Sequence, residues 1–217
     1  AAAEALPNAE AQALDVVDSA AVEARVQDVV SRRGALDVMV ANAGVIDVRP
    51  VAESSAEDWR RVLSVNLDGV FHCAAAAARA MRASAQAGRA PGAMVLMSSG
   101  AGRKGVPNLG AYCASKAGGI SLAQTLAQEL GPLGIRVNAA APGHVETSFW
   151  SGIAAGFARE TGASAEDVVE GFRAGVPMGR FGRPEEVAAA VAWLCGTEAA
   201  YVSGQTLAMN GADLPGG

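Results

Sequence analysis

The pair in this sequence best suited to proton transfer is a tyrosine and a lysine four residues apart, Tyr112 and Lys116. Residues at this spacing lie on one face of a helix, one turn apart. A phenol titrates at about pH 10, so it is a poor acid or base at neutrality unless its anion is stabilised. A neighbouring ammonium and the positive end of a helix dipole both stabilise that anion. The spacing therefore predicts a tyrosine of lowered pKa in the first turn of a helix running to about Leu130.

A serine could complete this site. Ser99 lies 13 residues before Tyr112 and ends an apolar run, Ala93–Met97, that predicts a buried strand. The end of a strand and the start of the next helix share one edge of a parallel sheet, where ligands bind in open α/β folds. Two dull alternatives stay open. A YxxxK pair arises by chance on many helices, and Ser99 could simply cap the loop between strand and helix.

The choice of lysine at this position is itself informative. Of the 17 basic residues, 15 are arginine, which leaves only Lys104 and Lys116 as lysines. An ammonium is a compact point charge, whereas a guanidinium is a planar fork with different bonding geometry. This sequence otherwise uses arginine, yet it has a lysine four residues after Tyr112. That choice favours a role at this position for which an ammonium is needed.

Composition bounds the class of protein. At 217 residues, with 51% hydrophobic and 18% charged residues, the chain is predicted to form one globular α/β domain over residues 1–217. The net charge of −5 gives no electrostatic footprint for nucleic acid or an anionic membrane surface. No apolar run approaches the roughly 20 residues that span a bilayer.

Cysteine and histidine usage narrows the chemistry further. Three widely separated cysteines without a CxxC pair, Cys73, Cys113 and Cys195, indicate reduced thiols and a cytoplasmic location. The only histidines are His72 and His144, so no metal cluster of standard spacing can be assembled and no metal site is predicted.

Strand-like and helix-like segments alternate along the chain, which predicts a parallel sheet with right-handed crossovers. The predicted strands are Gln12–Val17, Leu36–Ala41, Ala93–Met97, Gly134–Ala141 and Gln205–Met209. The predicted helices are Ser19–Arg33, one from Ser55 to about Ala87, one from near Tyr112 to Leu130, and Glu185–Leu194 after Pro184.

The segment 144–178 has a looser pattern, with helical pieces near 153–161 and 166–172. Long excursions after a strand end are usually lids or binding loops. Phe149, Trp150, Phe157 and Phe172 fall within it. These aromatic side chains either contact an apolar substrate or pack the lid onto the domain, and both interpretations stay open.

Several short motifs, in order, resemble one family. They are ANAG at 41–44, VNL at 65–67, SSGAG at 98–102, YCASK at 112–116, PGHVET at 142–147 and YVSGQTLAMNGA at 201–212. On these motifs the chain is identified as similar to the classical short-chain dehydrogenases/reductases, from its start to about Gly211. The resemblance implies a Rossmann-like, doubly wound parallel sheet. It also implies an NAD(P)-dependent oxidoreductase that interconverts a secondary alcohol and a ketone.

The resemblance implies four catalytic roles. Tyr112 would exchange the proton of the substrate oxygen, and Lys116 would lower the pKa of Tyr112 and hold the nicotinamide ribose. Ser99 would hydrogen-bond the carbonyl or hydroxyl of the substrate. Asn66 would anchor a water that links Lys116 to solvent, although a surface polar role for Asn66 stays open. Hydride transfer to a ketone leaves an alkoxide, which needs such a proton donor and polarising groups.

The resemblance also implies a cofactor, NAD or NADP, with the choice left open. The residues expected to contact it besides Tyr112 and Lys116 are Asp15, Val16, Asn42, Ala43, Gly44, Pro142, Gly143, Val145 and Thr147. Asp15 and Val16 would read the adenine, and Val145 and Thr147 the nicotinamide amide. Ordinary turn, helix-entry or loop roles are alternatives for all of these. His144, Phe149 and Trp150, together with Ser99, are candidate contacts of a small-molecule alcohol or ketone.

One departure from the family pattern concerns the glycine-rich phosphate turn, which is expected ahead of the Asp15 strand and has no counterpart in the sequence. The one GxGxxG match, at Gly100, Gly102 and Gly105, lies before Tyr112 and is predicted to be unrelated to phosphate binding. The unmatched piece would comprise two strands and two helices, on the order of 40–50 residues. We therefore expect the natural protein to be longer, with the Leu36 strand otherwise an unpaired edge or re-paired with the Asp15 strand.

Two functions from different classes follow. The first is the oxidoreductase. The alternative is a truncated, cofactor-free relative with a structural or subunit-pairing role. Under either, the helices carrying Asn66 and Tyr112 are expected to pack against their copies in a homodimer or homotetramer, since the alanine run 74–80 allows close helix approach.

Overall fold

The computed structural model of the chain describes residues 8–213, and a four-stranded parallel sheet lies at its centre. The strands, in chain order and in sheet order, are β1 (Val38–Ala41), β2 (Ala93–Met97), β3 (Arg136–Pro142) and β4 (Thr206–Met209). The helices are α1 (Ser19–Arg33), α2 (Ala56–Leu63), α3 (Gly69–Gln86), α4 (Gly110–Leu130), α5 (Phe149–Thr161), α6 (Ala165–Gly175) and α7 (Pro184–Cys195). Short 3₁₀ turns occupy Val51–Glu53, Gly100–Gly102, Gly131–Leu133 and Thr197–Ala199.

Helices cover both faces of the sheet, which confirms the predicted doubly wound α/β fold. On one face, α1, α3 and α4 pack a large apolar cluster against the sheet, including Val26, Met81, Met94 and Leu126. On the other, Leu194 of α7 packs against the buried side chains of the strands. Strands buried on both faces read as near-continuous apolar runs, as β2 and β3 do.

Local signals explain why most helices form where the sequence predicted them. Helix α1 begins after Asp18, whose carboxylate accepts from the Ala21 N–H, and ends at Gly34 in the left-handed conformation. Helix α2 begins with the predicted capping box, in which Ser55 and Asp58 each accept from the other's backbone N–H. The predicted bounds of α1 and β2 are confirmed.

The predicted helix from Ser55 to about Ala87 is wrong in one respect. A wider π-helical turn, Ser64–Asp68, separates α2 from α3. Such turns insert an extra residue into a helix and often lie at functional sites. This one carries Asn66, whose side chain is buried.

The predicted strand at Gln12–Val17 is also wrong. These residues lie outside the sheet and end in a turn, in which the Asp18 N–H donates to the Asp15 carbonyl (3.2 Å) and the Val17 N–H to the Asp15 carboxylate (3.0 Å). A strand is stable only when a neighbour pairs its backbone groups. Within residues 8–213 this segment has no strand beside it, so its own side chain and turn satisfy those groups.

Strand β1 forms one edge of the sheet, as expected if the Asp15 segment does not re-pair with it. Two of its apolar side chains are exposed to solvent, since Val38 and Val40 are 41% and 39% exposed. The prediction that the Leu36 strand is an unpaired edge therefore holds within the described residues.

One glycine in the loop between β2 and α4, Gly102, packs tightly against its surroundings. A Cβ on Gly102 would lie 2.7 Å from Ser98 Oγ and 2.8 Å from the backbone carbonyl carbon of Lys116. A Cβ on Gly105 would meet nothing within 4 Å. Gly102 therefore lets the loop after β2 lie directly on the helix that carries Lys116.

This close approach predicts a contrast between two glycine substitutions. Gly102→Ala places a methyl group against backbone that cannot move without shifting α4, so we expect a loss of about 1–3 kcal/mol in the free energy of unfolding. Gly105→Ala should change that free energy by less than about 1 kcal/mol. Differential scanning calorimetry of both variants measures the difference. Equal melting temperatures for the two would contradict the account.

Candidate active site

The carboxyl ends of β1, β2 and β3 open into one large cavity of about 940 Å³. This is the sheet edge at which ligands bind in open α/β folds. The predicted site residues that line it are Asn42, Ala43, Gly44, Ser99, Tyr112, Lys116, Pro142, Gly143, His144, Val145, Thr147, Phe149 and Trp150. Asn66 lies behind this wall, and Asp15 and Val16 lie outside the cavity.

Tyr112 and Ser99 face each other across the cavity floor. Tyr112 lies in the first turn of α4, and Ser99 follows β2 in extended conformation, with its hydroxyl hydrogen-bonded to the Tyr112 phenol. Burial raises the pKa of Tyr112, while the Ser99 hydrogen bond works in the opposite direction. The net shift is therefore opposite to the expected lowering, because loss of water around the phenol outweighs the stabilisation of its anion.

Lys116 lies one turn beyond Tyr112 and is 5% exposed. Its ammonium donates to the Met97 carbonyl at 2.8 Å and lies 5.7 Å from the centre of the Tyr112 ring. Burial lowers the pKa of Lys116 to about 8. An ammonium has three N–H groups, so two remain for a ligand in the cavity.

Three hydroxyl and amide contacts hold this lysine in place. Ser98, at the end of β2, donates to the Lys116 carbonyl at 2.8 Å. Ser115 donates to the Tyr112 carbonyl at 2.7 Å and accepts from the Asn66 amide at 3.2 Å. Sequence reasoning missed Ser98 and Ser115; the only available signal was their position inside the SSGAG and YCASK motifs.

Asn66 fixes the loop that follows β1. Its Oδ1 accepts from the Val45 N–H at 2.7 Å, and its Nδ2 donates to the Val45 carbonyl at 2.8 Å. With the further bond to Ser115, both amide hydrogens are used, and one lone pair of Oδ1 remains. The surface polar alternative for Asn66 is excluded, because its side chain is only 1% exposed.

The fit to a nicotinamide ribose rests on the space beside Gly44. A Cβ on this residue would lie 3.5 Å from Lys116 Nζ and 3.4 Å from Asn66 Oδ1. Any side chain here would cover the ammonium from the cavity side. The bare backbone of Gly44, the free N–H groups of Lys116 and the Tyr112 phenol thus fit a hydroxyl-bearing ring such as a ribose.

The substrate side of the cavity is apolar and aromatic. Helices α5 and α6 lie in the predicted lid region, and Ile153 and Phe157 of α5 are buried in a cluster with Val48 and Leu109. The rings of Trp150, Phe157, Phe172, Phe181 and His144 contact one another with centroids 4.8–5.4 Å apart. These aromatic side chains pack with each other, and Trp150, Phe157 and Phe172 also line the cavity. The packing interpretation therefore holds for Trp150, Phe157 and Phe172, and contact with an apolar substrate stays a prediction.

His144 lies at the centre of this aromatic group, 3.7 Å from the carboxylate of Asp213. Burial lowers the pKa of His144, and the Asp213 carboxylate opposes this. The His144 carbonyl accepts from the Gly182 N–H at 2.8 Å, which fixes the loop after β3 against the start of α7.

Neither a metal nor a membrane span is indicated by the part of the chain that the structure describes. No group of three His, Cys, Asp or Glu side chains between residues 8 and 213 is placed to hold a metal ion. Over the same residues, no helix combines the length and the apolar character required to cross a membrane.

Comparisons with known proteins agree with the geometry. A family model described as enoyl-(acyl carrier protein) reductase matches residues 1–211. Sorbitol dehydrogenase of Cereibacter sphaeroides is 38% identical over 210 residues, covering 97% of this chain and 80% of that protein. Cis-4-hydroxycyclohexanecarboxylate dehydrogenase of Sinomonas cyclohexanicum is 38% identical over 198 residues, covering 91% and 73% of the two chains.

Two solved structures of a reductase and of a dehydrogenase/reductase have a fold similar to that of this chain. The crystal structure of levodione reductase superposes with a TM-score of 0.86 at 32% identity, over 96% of this chain and 79% of that one. A short-chain type dehydrogenase/reductase from Mycobacterium marinum has a TM-score of 0.81 at 28% identity, over 93% and 74%.

Proposed function

The chain belongs to the short-chain dehydrogenase/reductase family, a family of oxidoreductases that act on alcohols and ketones with a nicotinamide cofactor, and from this premise we propose that Tyr112 is its catalytic acid and base. The reaction is the interconversion of a secondary alcohol and a ketone. The observation that carries the proposal is the hydrogen bond between Ser99 and the Tyr112 phenol at the cavity floor, with the Lys116 ammonium buried beside them.

In the direction of reduction, the phenol of Tyr112 gives its proton to the alkoxide oxygen, and the Ser99 hydroxyl donates a hydrogen bond to the same oxygen. Because burial raises the pKa of Tyr112, the phenol is protonated at neutral pH and ready to act as an acid. Ser99 and Lys116 then stabilise the tyrosinate. In oxidation the same tyrosinate takes the proton of the alcohol, which requires more alkaline conditions.

The cofactor is NAD or NADP, and when bound it supplies or accepts the hydride. Lys116 and Tyr112 hold its ribose, and the backbone of Asn42, Ala43 and Gly44 forms one wall. The loop after β3 holds the nicotinamide through Pro142, Gly143, Val145 and Thr147, and Asp15 and Val16 contact the adenine.

Asn66 supports proton exchange between Lys116 and solvent by holding the neighbouring loop in position. Its amide holds the Val45 backbone, and thereby Gly44, above the Lys116 ammonium. The remaining lone pair of its Oδ1 can accept from a water that exchanges protons with Lys116. Lys116 is thus the group through which the proton of Tyr112 is replaced from solvent.

The substrate is proposed to carry a substantial apolar part, such as an alicyclic ring or an acyl chain. Its support is the aromatic and aliphatic lining formed by Val106, Leu109, Trp150, Ile153 and Phe172. Sugar alcohols, named as substrates of some relatives, would leave their hydroxyl groups unpaired against such a wall. The cyclohexane ring of cis-4-hydroxycyclohexanecarboxylate, which the name of another relative contains, suits this wall better.

Subunit pairing is proposed through the helices that carry Asn66 and Tyr112, namely the run from the π-helical turn into α3, and α4. Phe71 of α3 is 52% exposed and Trp59 of the neighbouring α2 is 38% exposed, so both side chains are accessible to a second subunit. A homodimer or homotetramer in the cytoplasm is the state we propose.

Tyr112→Phe tests the assignment of the acid, and the chain supplies its own control. The chain contains two tyrosines, and the second, Tyr201, is fully exposed and far in sequence from α4. We expect Tyr112→Phe to lower kcat with an alicyclic ketone by at least about 100-fold, the usual scale of general acid catalysis. Tyr201→Phe should leave kcat unchanged. Steady-state assays of both variants, with circular dichroism to confirm folding, give the answer; near-normal turnover by Tyr112→Phe would rule out its role.

The lowered pKa of Lys116 predicts the pH profile of reduction. The ammonium is present below pH about 8 and is lost above it, so kcat/KM, which reports groups of the free enzyme, should fall as pH rises through about 8. Lys116→Arg keeps its charge to higher pH, so the fall in kcat/KM should occur at a higher pH. The overall rate should be lower, because a guanidinium does not reproduce the geometry of an ammonium. The exposed Lys104→Arg is the matched control and should retain the wild-type profile. If kcat/KM of Lys116→Arg fell at the same pH as that of the wild type, the fall would belong to another ionisable group.

A further inference from the structure

The turn at Asp15–Asp18 is held in place by helix α3, although it belongs to no strand. His72, in the first turn of α3, forms a hydrogen bond with the Val16 carbonyl at 2.9 Å through its Nδ1. A carbonyl oxygen only accepts, so Nδ1 carries the proton and donates it. One side chain thus ties this turn to a helix 56 residues further along the chain.

A second contact at the same place is independent of this bond. Gly69 is the first residue of α3, and a Cβ on it would lie 2.6 Å from Val16 Cγ2. The absence of a side chain lets Val16 rest directly on the helix, where it also packs against the main apolar cluster. Val16 is therefore fixed at its backbone by His72 and at its side chain by Gly69.

These contacts matter because α3 continues directly from the π-helical turn that carries Asn66. Gly69 lies only three positions after Asn66, and both belong to one continuous run formed by the π-helical turn and α3. Asn66 holds the loop above Lys116, while Gly69 and His72 hold the Asp15–Val16 turn. Neighbouring turns of one helical run therefore set the positions of the loop above Lys116 and of the Asp15–Val16 turn.

We propose that His72 is a positioning residue for the adenine end of the cofactor, acting through the Val16 carbonyl. This proposal rests on the proposed function, in which Asp15 and Val16 contact the adenine. The Asp15 carboxylate is bonded to the Val17 N–H within the turn, so a shift of the Val16 carbonyl moves the whole turn. His72 touches neither the reacting atoms nor the substrate, so it affects cofactor affinity rather than the chemical step.

Two substitutions separate the hydrogen bond from the bulk of the side chain. His72→Leu removes the donor and keeps an apolar side chain of similar size. His72→Asn keeps an N–H donor near the position of Nδ1. We expect His72→Leu to speed hydrogen–deuterium exchange of the amides of residues 14–18 in the free protein. In the same variant the Kd for the dinucleotide, measured by isothermal titration calorimetry, should rise about fivefold, the scale of one net hydrogen bond.

The accompanying readouts distinguish positioning from general damage. His72→Asn should restore both the exchange rates and the Kd to within about twofold of the wild type. The KM for the cofactor should rise in His72→Leu while kcat at saturating cofactor stays the same. Gly69→Ala, which displaces Val16 from the other side, should weaken dinucleotide binding without removing the histidine.

Failure of this proposal and failure of the proposed function give different results. If the wild type binds the dinucleotide and His72→Leu binds it equally well, or exchanges at the wild-type rate in residues 14–18, His72 does not position the turn and the oxidoreductase function stands. If the wild type binds neither NAD nor NADP, the proposed function fails and the role of His72 in cofactor binding fails with it.

Discussion

The buried ammonium of Lys116 is the interaction on which the rest of the site depends. Its bond to the Met97 carbonyl joins helix α4 to the last residue of strand β2, and the side chain is almost fully removed from water. Placing a charge there is costly unless it is hydrogen-bonded. The Met97 carbonyl meets this need, while Ser98 holds the backbone of Lys116 and Gly102 lets the loop after β2 approach it.

The same burial sets the protonation states of the pair. It raises the pKa of the Tyr112 phenol and lowers that of the Lys116 ammonium, so the two values, ordinarily close together, move apart. A protonated phenol beside an ammonium that can lose its proton near pH 8 is suited to receive protons from solvent and deliver them to an alkoxide. Ser99 opposes the shift at Tyr112 and stabilises the tyrosinate left after transfer.

Elements with strong local signals were predictable from the sequence, and elements that depend on distant partners were not. The capping box at Ser55 and the left-handed Gly34 act within one turn, so α1 and the start of α2 were correctly placed. The Asp15 strand failed because strand formation needs a neighbouring strand, which the periodicity of a single segment does not show. The π-helical turn around Asn66 has no local signal, since it is stabilised by the Val45 backbone 21 residues away.

For the site, motif spacing brought most of the candidate residues to one cavity but gave the wrong direction for the pKa of Tyr112. That direction depends on how much water the folded chain excludes, which no spacing reveals. The contacts of Ser98, Ser115 and His72 with backbone carbonyls were likewise missed, because a carbonyl acceptor is the same at every residue type.

The most direct measurement of the central claim is the ionisation of Tyr112 itself, followed by ¹³C-tyrosine NMR in the free Tyr201→Phe protein, where the other tyrosine is removed. Burial raises the pKa of Tyr112, so we expect the phenol to ionise at a higher pH than a free tyrosine measured in the same way; ionisation at or below the pH found for free tyrosine would contradict this.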